Sequence, residues 1–177
     1  MKIGTAILVA TLAIFPLSAR AAAPDAPHRV LAGLAGTWKV KQSLWLGGAT
    51  TPKTDTGTAD FALVLNGRHL RQTLHIDDGT GFEGLGYLGY DSGAARMFST
   101  WMDVTFPGLV VAYGAADPAG RTYVLTGTMA PSQPDGAPVP VREVMTITDP
   151  DHMRYDYYET RGGAEALTVR LDYTRVP

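Results

Sequence analysis

From Trp38 to the C-terminus the chain alternates apolar and polar residues in short runs, and clusters of turn-forming residues separate the runs. A period of two marks half-buried β-strands. Ten segments carry it: residues 37–45, 56–65, 69–76, 82–90, 96–103, 110–116, 121–129, 141–148, 152–160 and 165–175. Gly47-Gly48, Asn66-Gly67, Asp91-Ser92-Gly93, Asp117-Pro118-Ala119-Gly120, Asp149-Pro150-Asp151 and Arg161-Gly162-Gly163 lie between them. Each supplies the backbone freedom or the fixed φ that a tight turn needs, and Asn66-Gly67 suits a two-residue hairpin. The connection around Pro107-Gly108 is looser. The longest, 130–140, carries Pro131, Pro134, Pro138 and Pro140 and so is no central strand.

Consecutive strands joined by short turns predict an antiparallel meander. Such a meander leaves two unpaired edges unless it closes, so the expected fold is all-β, a single up-and-down β-barrel of about ten strands. An open two-sheet sandwich is the alternative. One short helix is expected at 28–34, before Gly36. The chain shows neither strand–helix–strand spacing nor an internal repeat.

Alternation also assigns the interior. In the last segment Leu167, Val169, Leu171 and Tyr173 share one face, opposite Thr168, Arg170 and Asp172. Further inward rows are Phe61, Leu63 and Leu65; Leu70, Leu74 and Ile76; Tyr123, Leu125 and Met129; and Val141, Met145 and Ile147. Gln72, Glu143, Tyr155, Tyr157 and Glu159 fall on inward rows as well. A buried carboxylate is costly unless paired, so Glu143 predicts either a polar, wet interior or a place at the barrel mouth. Arg175 falls on the apolar face of its strand, and Trp38 on that of the first. Closure would let the guanidinium stack on the indole; otherwise Arg175 lies in solvent.

The N-terminus is of another kind. Met1-Lys2 precedes an apolar run, 3–17, and Ala19 and Ala21 stand where a signal peptidase reads small residues. This describes a secretory signal, 1–21, leaving 22–177 as one barrel domain in the periplasm or outside the cell. The alternative, a membrane anchor, calls for roughly 20 apolar residues. Cleavage removes Lys2 and Arg20 and leaves thirteen basic against seventeen acidic side chains, a net charge of −4. With no basic block, nucleic acid and anionic membranes are poor partners, and no stable membrane anchor remains after cleavage. The chain has no cysteine, which excludes disulfides, thiolate metal sites and a cysteine nucleophile. A domain of this size can bury an adequate core without them.

Candidate chemistry is sparse. Gly84-Leu85-Gly86-Tyr87-Leu88-Gly89 matches the dinucleotide fingerprint, but Tyr90-Asp91-Ser92-Gly93 turns where that motif requires a helix. The glycines read instead as room for strand curvature or for close approach of backbone or ligand. His69 and His75 share an outward face but lie too far apart for one zinc ion on a strand rising about 3.3 Å per residue. A haem needs a single histidine, for which His75 or His152 is the candidate; solvated surface imidazoles are the plainer account. Asp77-Asp78 and Asp149-Pro150-Asp151 sit in turns without the spaced carboxylates of a calcium loop. No metal and no cofactor is expected. No Gly-x-Ser-x-Gly elbow occurs. Glu83 and Glu143 would make an acid–base pair if the fold joined them. Trp101 and Asp103 share a face with Met97 and Ser99, and serve either as cavity wall and polar anchor or as core residue and loop cap.

Six segments, in order, resemble the bacterial family called domain of unknown function 1579. They are Leu31-Ala32-Gly33-Leu34-Ala35-Gly36-Thr37-Trp38, Leu65-Asn66-Gly67-Arg68-His69-Leu70, the stretch 82–91, Thr100-Trp101-Met102-Asp103, Val141-Arg142-Glu143 and Tyr173-Thr174-Arg175. Asn66 stands where that family often has a glycine. The resemblance spans nearly all of 22–177 and implies no activity. More loosely, Gly36-Thr37-Trp38 with a terminal arginine is similar to the lipocalin pattern, which implies a calycin-like barrel that binds something small.

The leading expectation is therefore a small, partly apolar molecule bound inside the barrel by Gln72, Trp101, Glu143, Tyr155 and Tyr157, with no catalytic residue assigned. An enzyme using Glu143 or Asp103 as general acid or base is a second possibility, and a ligand-free barrel acting through its surface or the 130–140 loop a third. A cavity holding a carboxylate of raised pKa favours the enzyme, a cavity without one the binder, and a filled interior the last.

Overall fold

A computed structural model describes residues 26–131 and 136–177; the expected leader, 1–21, and the middle of the 130–140 loop lie outside the described residues. A short helix, α1 (Ala26–Ala32), precedes ten strands. These are β1 (Gly36–Leu44), β2 (Lys53–Val64), β3 (His69–Ile76), β4 (Phe82–Asp91), β5 (Arg96–Asp103), β6 (Phe106–Ala116), β7 (Thr122–Met129), β8 (Val139–Asp149), β9 (His152–Arg161) and β10 (Ala164–Arg175). Each pairs antiparallel with its neighbours in sequence, and β1 pairs with β10 to close the barrel. Closure leaves no free sheet edge, which a sandwich would.

Most strand ends lie within a residue or two of the alternating segments. Three differences are larger. β6 begins at Phe106, four residues early, so Pro107-Gly108 belongs to the strand. The register with β5 shifts there, between Trp101 and Asp103, and such an irregularity tolerates a proline that donates no ladder hydrogen bond. β2 begins at Lys53, before the apolar pattern starts, because Lys53, Thr54 and Asp55 pair with Leu44, Ser43 and Gln42. The β2–β3 turn spans four residues rather than two, with Leu65 (φ 51), Asn66 (φ 58) and Gly67 (φ 78) all left-handed.

That turn also corrects the second inward row. Leu65 sits in the turn and Leu63 at the barrel's rim, both exposed, so of the three only Phe61 joins the core. In β10 a register shift between Leu167 and Val169 places Leu167 beside Tyr158 and Val169 beside Tyr157. Facing partners share a side of the sheet, so the bulge turns Leu167 outward while Val169, Leu171 and Tyr173 remain inward.

The packed core lies at the end of the barrel that α1 covers. Leu31 and Leu34 are buried there with Trp38, Phe61, Leu70 and Tyr173. Trp38, Phe61 and Tyr173 meet edge to face, with centroids 5.8–6.4 Å apart. Arg175 pairs with Trp38 across the β1–β10 seam, and its guanidinium lies 4.2 Å from the indole. The same guanidinium donates to the carbonyls of Gly33 (2.7 Å), Ala35 (2.8 Å) and Pro150 (2.9 Å). It thereby satisfies carbonyls left open where α1 ends. Trp38 Nε1 donates to the Leu34 carbonyl at 3.0 Å, so one arginine and one tryptophan lock helix, first strand and last strand together.

Candidate functional site

The other end of the barrel is hollow. A cavity of about 530 Å³ runs inward from a mouth bordered by Leu46, Asp78, Thr105, Phe106, Glu159 and Arg161. Inward residues of most strands form its wall, and Phe61, Met153 and Tyr173 belong to both the packed core and the cavity lining. Gln72, Trp101, Glu143, Tyr155 and Tyr157 all border this one space.

The cavity explains the glycine-rich strand. Gly84 pairs with Asp103 and Gly86 with Trp101. A β-carbon on Gly84 would overlap the six-membered ring of Trp101, and one on Gly86 would stand 2.9 Å from Cε3 of the same ring. At Gly84 the close approach is that of the indole against bare backbone; at Gly86 the Thr100 carbonyl, at 2.7 Å, comes closer still. Held there, Trp101 donates from Nε1 to Oδ2 of Asp103 at 2.9 Å. The other oxygen of Asp103 accepts from the Thr105 amide (2.8 Å), the Thr105 hydroxyl (2.6 Å) and the Phe106 amide (2.9 Å). Trp101 thus borders the cavity while packing against the core, and Asp103, which borders the same cavity, caps the loop.

Glu143 is the deep polar residue. Its neighbours along the strand, Val141 and Met145, point inward with it and are buried. Glu143 itself is 3% exposed, and the Ser99 hydroxyl donates to its Oε2 at 2.5 Å. Ala112 lies beside Ser99, and Gly127 beside Ala112. Ser99, and Tyr155 on the neighbouring strand, both favour the carboxylate. Burial outweighs them and pushes the Glu143 pKa up to about 7, because desolvation penalises the charged form. Burial, with Glu143 nearby, holds the Tyr155 hydroxyl well above its ordinary value. Gln72 Nε2 donates to the Tyr173 hydroxyl at 2.9 Å, and the Tyr157 hydroxyl faces the Met129 sulfur at 3.9 Å.

The structure separates other candidates. Glu83 is exposed on the outer wall opposite His75, so no Glu83–Glu143 pair exists. Among the described residues no histidine borders the cavity. His75 and His152 are exposed outside it, which leaves a bound haem without an imidazole ligand; His28 is buried under Tyr90 and His69 lies against Phe98. Among the described residues no group of three or more His, Cys, Asp or Glu is placed to hold a metal ion.

Alternation did not single out Ser99 as a site residue, although it lies on the inward row with Met97 and Trp101. Its partner is 44 positions away, and nothing local signals that. Arg161 was read as part of a turn; in fact it ends β9 at the mouth, with Nε 2.6 Å from Glu159 Oε2.

The fold has relatives among solved structures. Rv2717c from M. tuberculosis superposes with a TM-score of 0.65 at 14% identity, covering 86% of this chain and 99% of that one. At that identity the likeness shows a shared barrel fold alone. A redesigned β-barrel, b11L5F_LGL, reaches a TM-score of 0.37 at 16% identity over 84% of this chain and 96% of its own, too low a score to bear on the fold. Curated proteins gave no match. The model of the family described as "Protein of unknown function (DUF1579)" matches residues 23–175, and the chain belongs to that family.

Proposed function

We propose that this protein binds a small, partly apolar molecule inside its barrel, and that it does so after export. The observation that carries the reading is the cavity: about 530 Å³, bordered mainly by apolar and aromatic side chains, with Gln72, Glu143 and Tyr155 converging on it. Ligand sites commonly occupy roughly 300–1,000 Å³ and combine apolar walls with a few fixed polar groups. Trp101 supplies a broad wall, and Gln72, Glu143, Tyr155 and Tyr157 supply hydrogen-bonding atoms. Support for export comes from the leader pattern of 1–21, and the family match begins just past it, at residue 23. No helix among the described residues is long and apolar enough to cross a membrane.

The test is native mass spectrometry of protein purified from the periplasm, followed by denaturation and identification of any small molecule. A molecule that co-purifies and is lost in Trp101→Ala supports binding. A clean apoprotein mass, with no uptake from a periplasmic extract, rejects it.

The raised pKa of Glu143 is the sign expected of an enzyme rather than of a simple binder, and binding inside the barrel is common to both readings. A carboxyl of pKa about 7 in a ligand-sized cavity is what a general acid or base requires at neutral pH. Under the enzyme reading, Glu143 would exchange a proton with a bound substrate; Asp103 would not, being held by Trp101 and its loop. Turnover of the co-purified molecule, lost in Glu143→Gln, would decide for catalysis.

A further inference from the structure

Resting on the cavity reading above, we infer that the ligand presents a cationic amine to Glu143 at depth, with an apolar body against Trp101. The charges bordering the cavity point this way. Asp78, Asp103, Glu143 and Glu159 border it, whereas among the described lining residues Arg161 is the one lysine, arginine or histidine. Arg161 stands at the mouth, already paired with Glu159.

Among the described residues no cation faces Glu143 from the elements around it. Ser99 reaches it from β5, Leu125 lies beside it on β7, and Tyr155 and Tyr157 flank it on β9. Across the cavity stand Gln72 and Tyr173. A carboxylate has about four lone-pair directions; Ser99 takes one, which leaves room for donors from a ligand. The tyrosine and Trp101 rings border the same space, and aromatic faces attract cations. An anionic ligand would meet the carboxyl with nothing to neutralise it. An ammonium would supply the missing counter-charge.

The proton follows from this. With no cation beside it, burial holds the acid near pKa 7; an adjoining ammonium favours the carboxylate. Below pH 7, binding of one amine therefore releases the Glu143 proton to solvent, while the amine keeps its own.

Three probes share one body: 4-phenylbutylamine, 4-phenylbutanol and 4-phenylbutyrate. Their affinities for the mature protein are measured by calorimetry, with the neutral dye Nile red as an independent report on the cavity. The amine is expected to bind at least tenfold more tightly than the alcohol at pH 8, and the butyrate more weakly than either. The amine's advantage shrinks about tenfold or more on going to pH 5.5, where Glu143 is protonated. Titration in two buffers of different ionisation enthalpy reads the released proton directly in the wild type. In Glu143→Gln, with folding checked by circular dichroism, the advantage over the alcohol disappears. Alcohol or butyrate binding as tightly as the amine, or a preference that is independent of pH, overturns the inference while dye binding keeps the cavity reading intact. Failure of the dye and all three probes sinks both.

Discussion

The Ser99 hydroxyl and the Glu143 carboxyl meet at 2.5 Å across the barrel interior, although 44 residues separate them in the chain. Their contact is a buried polar point in the wall of a largely apolar cavity.

Stability should depend on pH through this carboxyl. Its pKa is about 7 folded against 4.5 as the ordinary value, so between those values the folded state holds the proton more tightly than the unfolded one. The associated stability is fully present below pH 4.5, falls as pH rises through 7, and then levels off. The raised pKa corresponds to about 3 kcal/mol across that window. Glu143→Gln should therefore gain on the wild type in urea midpoint at pH 8 and lose that gain near pH 4.5.

Removing the donor should move the titration further. The Ser99 bond lowers the Glu143 pKa against the larger effect of burial. In Ser99→Ala the carboxyl should titrate at higher pH than in the wild type, read from the carboxyl carbon shift by NMR. A titration that stays or moves down would show that the hydroxyl does not stabilise the carboxylate.

The glycines of β4 should be intolerant because of Trp101. Gly84→Ala drives a methyl into the indole, an overpacking worth roughly 1–3 kcal/mol. Trp101 emission should shift as the ring is displaced, and the shift should vanish in a Trp101→Phe background. Thermal unfolding and fluorescence check both parts.

At the closed end, Arg175→Lys keeps the charge but loses the fork that spans Gly33, Ala35 and Pro150. Lysine is a point donor and stacks poorly, so the loss should be about 1–3 kcal/mol. Hydrogen exchange should show it first in the amides of 33–38, the segment the guanidinium ties down.

Export is checked at the N-terminus. Protein recovered from a periplasmic fraction should begin at Ala22 by N-terminal sequencing. Retention of Met1 in all the cell's protein would reject the leader.

The strands and most of their faces are legible in the order of residues alone. The period-two rows from Trp38 onward announce ten half-buried strands, and the turn residues between them make neighbours in sequence neighbours in space. The edge problem favoured closure over an open sandwich, and shared apolar faces offered the Trp38–Arg175 stack as one of two places for the arginine. Gln72, Glu143, Tyr155 and Tyr157 were legible because alternation sends them inward. Alternation is a local property of the backbone, so it failed where the backbone departs from it: at the bulge that turns Leu167 outward, at the left-handed Leu65, and at the register shift opposite Phe106.

That the interior is hollow at one end, and which inward residues share that space, emerges from the closed barrel. Ser99 and Glu143 come together through the curvature and register of strands β5 to β8. Whether a buried carboxyl is solvated, paired or isolated is a matter of three-dimensional surroundings, and so is its pKa. The same holds for the glycines of β4, whose role is set by an indole on the neighbouring strand. A linear pattern records which face a residue takes; the distance across a barrel is fixed by how all its strands close together.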